Sequence, residues 1–306
     1  MGRPVTSRLE RWLAPAVPLA RLAVVRRLLA LFVLADIALL TADVVPHAKG
    51  PDELYQPLLL RRALDLPAPG PAYVEGLAAV LVVAALVVAV GRLPRLAGAV
   101  LAVAFLDWVS IAFSYGKIDH DHFALVVGLF AVATVGPAGL RDPRTSAAAG
   151  FALRAVQVAC VATYFLSAVA KVRFGGWGWA TGATFAWAMS RRGTQLGDVL
   201  AQFPWLLRAG QWGVLVMEAL TPALLFVRAR WQAVGATVLV GFHLATWAAT
   251  RIHFLPLVVC LAAFLPLERI VPAVTGLRRR RATPRRAADA SRPAAAGAPA
   301  CGPPRA

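Results

Sequence analysis

Long apolar runs dominate the chain, and its polar residues gather between them. Eight stretches stand out, at about 28–45, 73–91, 96–114, 122–138, 150–170, 208–227, 231–250 and 253–268. Each is close to the ~20 residues that a helix needs to cross the hydrocarbon core of a bilayer. The last is short and suits a tilted, locally thinned or re-entrant path. The expected fold is all-α: a polytopic integral membrane bundle of about eight transmembrane helices.

Two polar connections are longer than the rest, at 46–72 and 171–207. The second carries Trp177, Trp179, Trp187 and Trp205, a density that suits an outer interfacial or re-entrant segment. Gly175, Gly176, Gly178 and Gly182 supply the sharp turns such a path requires.

Composition sharpens the picture. Of the 306 residues, 59% are hydrophobic and 15% charged, against roughly 45–50% and about 25% in soluble domains. A water-soluble core of this size cannot hide so much apolar surface, so the expected partner is the lipid bilayer. The net charge of +17 sits in short loops and in the two tails. No aromatic-basic reading module accompanies it, so nucleic acid is not an expected partner.

Basic residues also set the orientation. An even number of spans puts both tails on one side together with Arg92, Arg95, Arg141, Arg144, Arg228 and Arg230. That side holds 21 basic residues against 10 on the other, with Arg154 inside a span. Positive residues favour the cytoplasm, so the expectation is a multi-pass protein of the cell inner membrane with both termini cytoplasmic. Asp36 interrupts the first apolar run and no small-x-small cleavage site follows, which reads as an uncleaved span. The expected organisation is a basic cytoplasmic segment at 1–27, a membrane domain at 28–270, and a disordered Arg/Pro/Ala-rich cytoplasmic tail at 271–306. The arginines of the tails suit anionic lipid headgroups.

Ionisable side chains inside spans are costly and raise a functional hypothesis. At ~1.5 Å per residue, Asp43, Glu75, Asp107, Lys171 and His243 fall in the outer half, Asp36 and Glu218 near the middle, and Asp119-His120-Asp121-His122 in an outer turn. Helices packed as a bundle can turn these groups toward one outward-open cavity. Each also has a plain role: a solvated loop residue, a span-end marker, an interfacial anchor, or a helix–helix contact. The alternating Asp-His turn offers two imidazoles or two carboxylates to a metal, but no HExxH-type cluster accompanies it, so no metal ligand is assigned. The three cysteines form no CxxC or disulfide framework; Cys160 and Cys260 read as small core residues. Nucleotide and serine-hydrolase motifs are absent from the sequence.

The run Tyr164-Phe165-Leu166-Ser167-Ala168-Val169-Ala170-Lys171, followed by Trp177 and Thr181-Gly182-Ala183, resembles the membrane domain of vitamin K-dependent gamma-glutamyl carboxylases and the wider HTTM (horizontally transferred transmembrane) family. Asp121-His122-Phe123 is similar to that family's Asn-His segment, with Asp in place of Asn. Glu218 with Pro222, Phe242-His243 and Ile252-His253-Phe254 resemble its later spans. The likeness covers roughly residues 20–270. It implies that Lys171 is the base that deprotonates a reduced vitamin K-like quinol such as menaquinol. It also implies that His122 is the assisting imidazole and that His243 is a pocket residue. A lysine at an apolar, aromatic boundary suits that task, because desolvation favours its neutral form.

The expected site therefore uses Lys171, His122, His120 and His243 in catalysis. Trp177, Trp179, Tyr164, Asp107 and Glu218 would contact a lipophilic small-molecule substrate. The expected reaction is proton abstraction from a quinol or similar lipophilic acid. Two alternatives stand beside it: a carrier or transporter in which Asp107 and Glu218 relay protons or ions, and a structural subunit of a membrane complex.

Overall fold

The computed structural model describes residues 7–269, and residues up to Glu268 form one compact unit. The expected tail at 271–306 lies outside the described residues. The main helices are α1 (Leu19–Ala35), α2 (Pro71–Ala89), α3 (Leu96–Ala112), α4 (His122–Ala133), α5 (Ala147–Gly175), α6 (Thr184–Arg192), α7 (Pro204–Leu220), α8 (Ala229–Thr250) and α9 (Leu255–Cys260). Strand is confined, among the described residues, to a two-residue antiparallel pair, β1 (Val17–Pro18) with β2 (Thr145–Ser146).

The fold is thus almost wholly helical. Among the described residues three helices, α2, α5 and α8, are long and apolar enough to cross a membrane. α3, α4 and the stretch Leu255–Phe264 are apolar but shorter. Helix α1 begins at Leu19, inside the segment expected to precede the membrane domain, and a π-helical turn at Asp36–Leu40 ends it. The first helical run therefore stops short of residue 45. Such π-turns often mark functional positions.

Local chemistry explains several boundaries. Gly70 precedes α2 and Pro71 occupies its first turn, where the missing N–H costs nothing. Ser146 caps α5 by accepting from Ala149 N at 3.3 Å. α5 stops at Gly175, and Gly176 follows with φ +58, a conformation that favours glycine. Arg26 lies buried in α1 and donates to the carbonyls of Val132, Val135 and Gly136, which finishes the end of α4.

The main core joins α1 (Leu22, Val25, Leu29), α3 (Leu101, Phe105, Trp108), α4 (Leu125, Leu129) and α5 (Ala152, Val156, Cys160). Close approach needs small residues: a Cβ on Gly150 would lie 1.6 Å from Pro15 O, where the N-terminal segment crosses α5. Outward faces stay apolar, as at Val83 (61% exposed) and Val103 (58%). A hydrophobic belt of this kind suits a hydrocarbon solvent and not water. The groove of about 430 Å³ between α2 and α3, lined only by Ala, Val and Leu, belongs to that belt.

Candidate functional site

α5 presents Thr163, Ser167 and Lys171 at four-residue spacing, so they share one face. The Lys171 amine donates to Ser167 Oγ at 2.6 Å and to both carboxylate oxygens of Glu218 at 2.8 Å. Glu218 projects from α7 and is 5% exposed. The Trp179 ring centroid lies 5.2 Å from the Lys171 nitrogen, within cation–π range.

This ion pair faces a cavity of about 190 Å³. Its walls include His120, Tyr164, Trp179, Phe185, His243 and Phe254. Tyr164 Oη and His243 Nε2 are 2.6 Å apart, and both residues are buried. A second cavity of about 400 Å³ shares His120, Thr163 and Ser167 with the first and continues past Phe123, Leu166 and Ala170. Phe123 and Leu166 are more than half exposed, so this cavity opens among the outward apolar side chains. His120 stands at the junction of the two. Desolvation pushes its imidazole below the usual pKa; the nearby Asp121 carboxylate opposes that shift, and the Lys171 ammonium adds to it.

One buried amide shapes the far wall. Gln211 of α7 accepts from Phe185 N at 2.9 Å and donates to the carbonyls of Trp179, Ala180 and Gly182 at 2.9–3.1 Å. It ties the 179–185 connection to α7 and sets where Trp179 and Phe185 stand. Gln211 is not among the residues expected at the site. The available signal is its position, two helical turns before Glu218 on the same face of an apolar helix.

Not every expected residue joins this cavity. His122, the first residue of α4, is held between Asp121 Oδ1 at 3.1 Å and Asp36 Oδ2 at 3.0 Å. Asp36 also accepts from Thr41 Oγ1 at 2.9 Å, and Thr41 accepts from Trp108 Nε1 at 2.8 Å. His122 lines neither of the two cavities. Asp107 is also elsewhere: it pairs with Arg61 and accepts from Tyr73 Oη at 2.5 Å. Trp177 is exposed and stacks on Trp212 with centroids 5.9 Å apart.

The Asp119–His122 turn does not converge as a ligand set. Asp119 pairs with Lys117, His120 faces the cavity, and Asp121 turns to His122. Among the described residues no group of three or more His, Cys, Asp or Glu side chains is arranged to hold a metal ion.

No protein-family model matches the chain, and neither the curated proteins nor the solved structures provide a match. The likeness to the HTTM family rests on the residues quoted above, and the chemistry of the cavity is argued from its own geometry.

Proposed function

We propose that this chain is an HTTM-type membrane protein of about eight spans with both termini cytoplasmic. In this reading, Lys171, working with Glu218, removes a proton from a quinol or another lipophilic acid. The observation that carries the proposal is the Lys171–Glu218 pair: a cation and a carboxylate, both largely withdrawn from solvent, at the wall of a cavity whose continuation runs among outward apolar side chains. A lipophilic ligand reaches such a place from the bilayer, with a polar head beside the pair and an apolar portion along Leu166 and Phe123.

The donor set fits a reduced quinone, which supplies an acidic O–H and an aromatic ring. Trp179, Phe185 and Phe254 give aromatic walls. An amine that shares a proton with a carboxylate is a base only when the carboxylate holds that proton. Passing that proton to Glu218 leaves a neutral amine, and the amine then accepts the proton of the bound O–H. The ammonium so restored lies next to the new negative oxygen, while Glu218 holds the transferred proton. Ser167 fixes the amine by a third contact. Low local dielectric strengthens each of these interactions.

His120 and His243 stand where the ligand's other polar atoms would be met. His122, closed between two carboxylates, acts at most through Asp121 and its neighbours. The transporter reading loses weight because Asp107 is committed to Arg61 outside these cavities.

The test is quinol oxidation in proteoliposomes with dissolved dioxygen supplied as the electron acceptor, for Lys171→Ala, Lys171→Arg and Glu218→Gln. Turnover should fall at least 100-fold in the alanine and arginine variants, the scale on which general-base contributions are measured. Glu218→Gln should also be strongly impaired. Unchanged turnover in both Lys171 variants removes the lysine from the mechanism.

A further inference from the structure

A second apolar knot lies beside the cavity. Met189 of α6, Leu207 of α7 and Ala249 of α8 pack together, with Phe185 against them. Thr194 Oγ1 donates to Ala249 O at 2.6 Å, which fastens the chain after α6 to the last turn of α8. Phe185 therefore belongs both to this knot and to the cavity wall.

Four arginines lie within three residues along the chain of a member of the knot: Arg191, Arg192, Arg208 and Arg251. All four are exposed. None of their guanidinium groups ion-pairs with a carboxylate among the described residues. Asp198 is the only acid between residues 172 and 217. Two of the arginines lie against exposed indoles: Arg191 at 4.9 Å from the Trp187 ring centroid and Arg251 at 5.3 Å from that of Trp247.

Helix dipoles account for part of this. Arg191, Arg192 and Arg251 sit at the C-terminal ends of α6 and α8, where a cation is favoured. Arg208 does not fit that account, because it lies near the N-terminal end of α7, where an anion is favoured. In the eight-span arrangement the patch also lies on the side opposite most of the basic residues, where arginines oppose the orientation bias. Unpaired cations beside tryptophans match the interfacial layer of a bilayer, where indoles settle at headgroup depth. Guanidinium groups bind phosphate oxygens in bidentate fashion.

We propose that Arg191, Arg192, Arg208 and Arg251 form a seat for the phosphates of anionic phospholipids. The lipid holds α6 in the interface and so braces the wall of the Lys171 cavity through Phe185. This inference uses the membrane reading of the chain but no step of the proposed reaction.

The full chain is delipidated in detergent and titrated with phosphatidylglycerol, phosphatidylcholine or inorganic phosphate. Bound lipid is counted by native mass spectrometry and melting is followed in parallel. Phosphatidylglycerol should stay bound and raise the melting temperature. The quadruple alanine variant should bind it at least 10-fold more weakly. A control with Arg278, Arg279, Arg280 and Arg281 changed to Ala should keep the phosphatidylglycerol-dependent gain. The single variants Arg191→Gln and Arg251→Gln retain long side chains and should each lose part of the affinity, so the seat stays testable if the quadruple variant fails to fold. Full lipid retention in the single variants, loss of the gain only in the tail control, or equal protection by inorganic phosphate overturns the proposal.

Discussion

Two buried polar clusters, one around Lys171 and one around His122, use the same kinds of group to opposite ends. In the second, His122 has a carboxylate on each ring nitrogen, and the set continues through Thr41 to Trp108. Asp36 is fully buried, and Asp121 and His122 are each 5% exposed. In the first, Lys171 is held by Ser167 and Glu218 on one side while the other side faces open space. A saturated network fixes helices; a network with one open flank can receive a ligand. The difference fits structural work for the His122 cluster and leaves the Lys171 cluster as the one proposed to receive a ligand.

The most forceful way to break this comparison is Lys171→Ala. It strands the Glu218 carboxylate, and removing one partner of a buried pair costs roughly 3–5 kcal/mol. Because Lys171 keeps 19% of its side chain exposed, the lower end of that range is expected. Thermal unfolding in detergent should show a clear drop, and Lys171→Met combined with Glu218→Gln should recover most of it. A single variant as stable as the parent would mean that the pair contributes nothing.

Asp36→Asn is the matching change in the closed cluster. It weakens a hydrogen bond to a charged partner, worth about 1.5–3 kcal/mol. The melting temperature should fall while quinone-analogue binding, followed by quenching of the protein's tryptophan fluorescence, stays within twofold. Loss of binding comparable to that of Lys171→Ala would erase the distinction between the clusters.

The smallest effect sharpens the boundary of the open cluster. His120 has its pKa lowered by desolvation at the rim. In the unfolded chain it takes up its proton near pH 6.5; in the folded chain it does so only at lower pH. The unfolded state therefore binds more protons as pH falls through about 6.5, and stability declines with acidification across that window. Comparing melting curves at pH 7.5 and 6 for the parent and His120→Asn should show a shallower pH slope in the variant.

Some of this was legible along the chain. Apolar runs at 73–91, 150–170 and 231–250 mark α2, α5 and α8, because continuous hydrophobicity over ~20 residues has few uses besides crossing lipid. The helical face carrying Thr163, Ser167 and Lys171 follows from spacing alone. What spacing does not reveal is which of two histidines, two residues apart in one turn, shares a cavity with the lysine. His120 faces the cavity because α4 begins at His122 and directs that ring toward α1, where Asp36 waits. Gln211 is not legible in the sequence because one amide among apolar neighbours has no local signature; its four backbone partners lie about 30 positions away in sequence.

By itself, then, the sequence determined a helical, lipid-suited chain and placed a lysine at the end of a long apolar helix, since both follow from local composition and periodicity. Tertiary structure decided that Glu218, and not Asp107, meets that lysine. It also decided that one imidazole faces the cavity while its neighbour is locked away. Those choices depend on which helix faces pack together, and two charges 47 positions apart carry no mark in the sequence that they will meet.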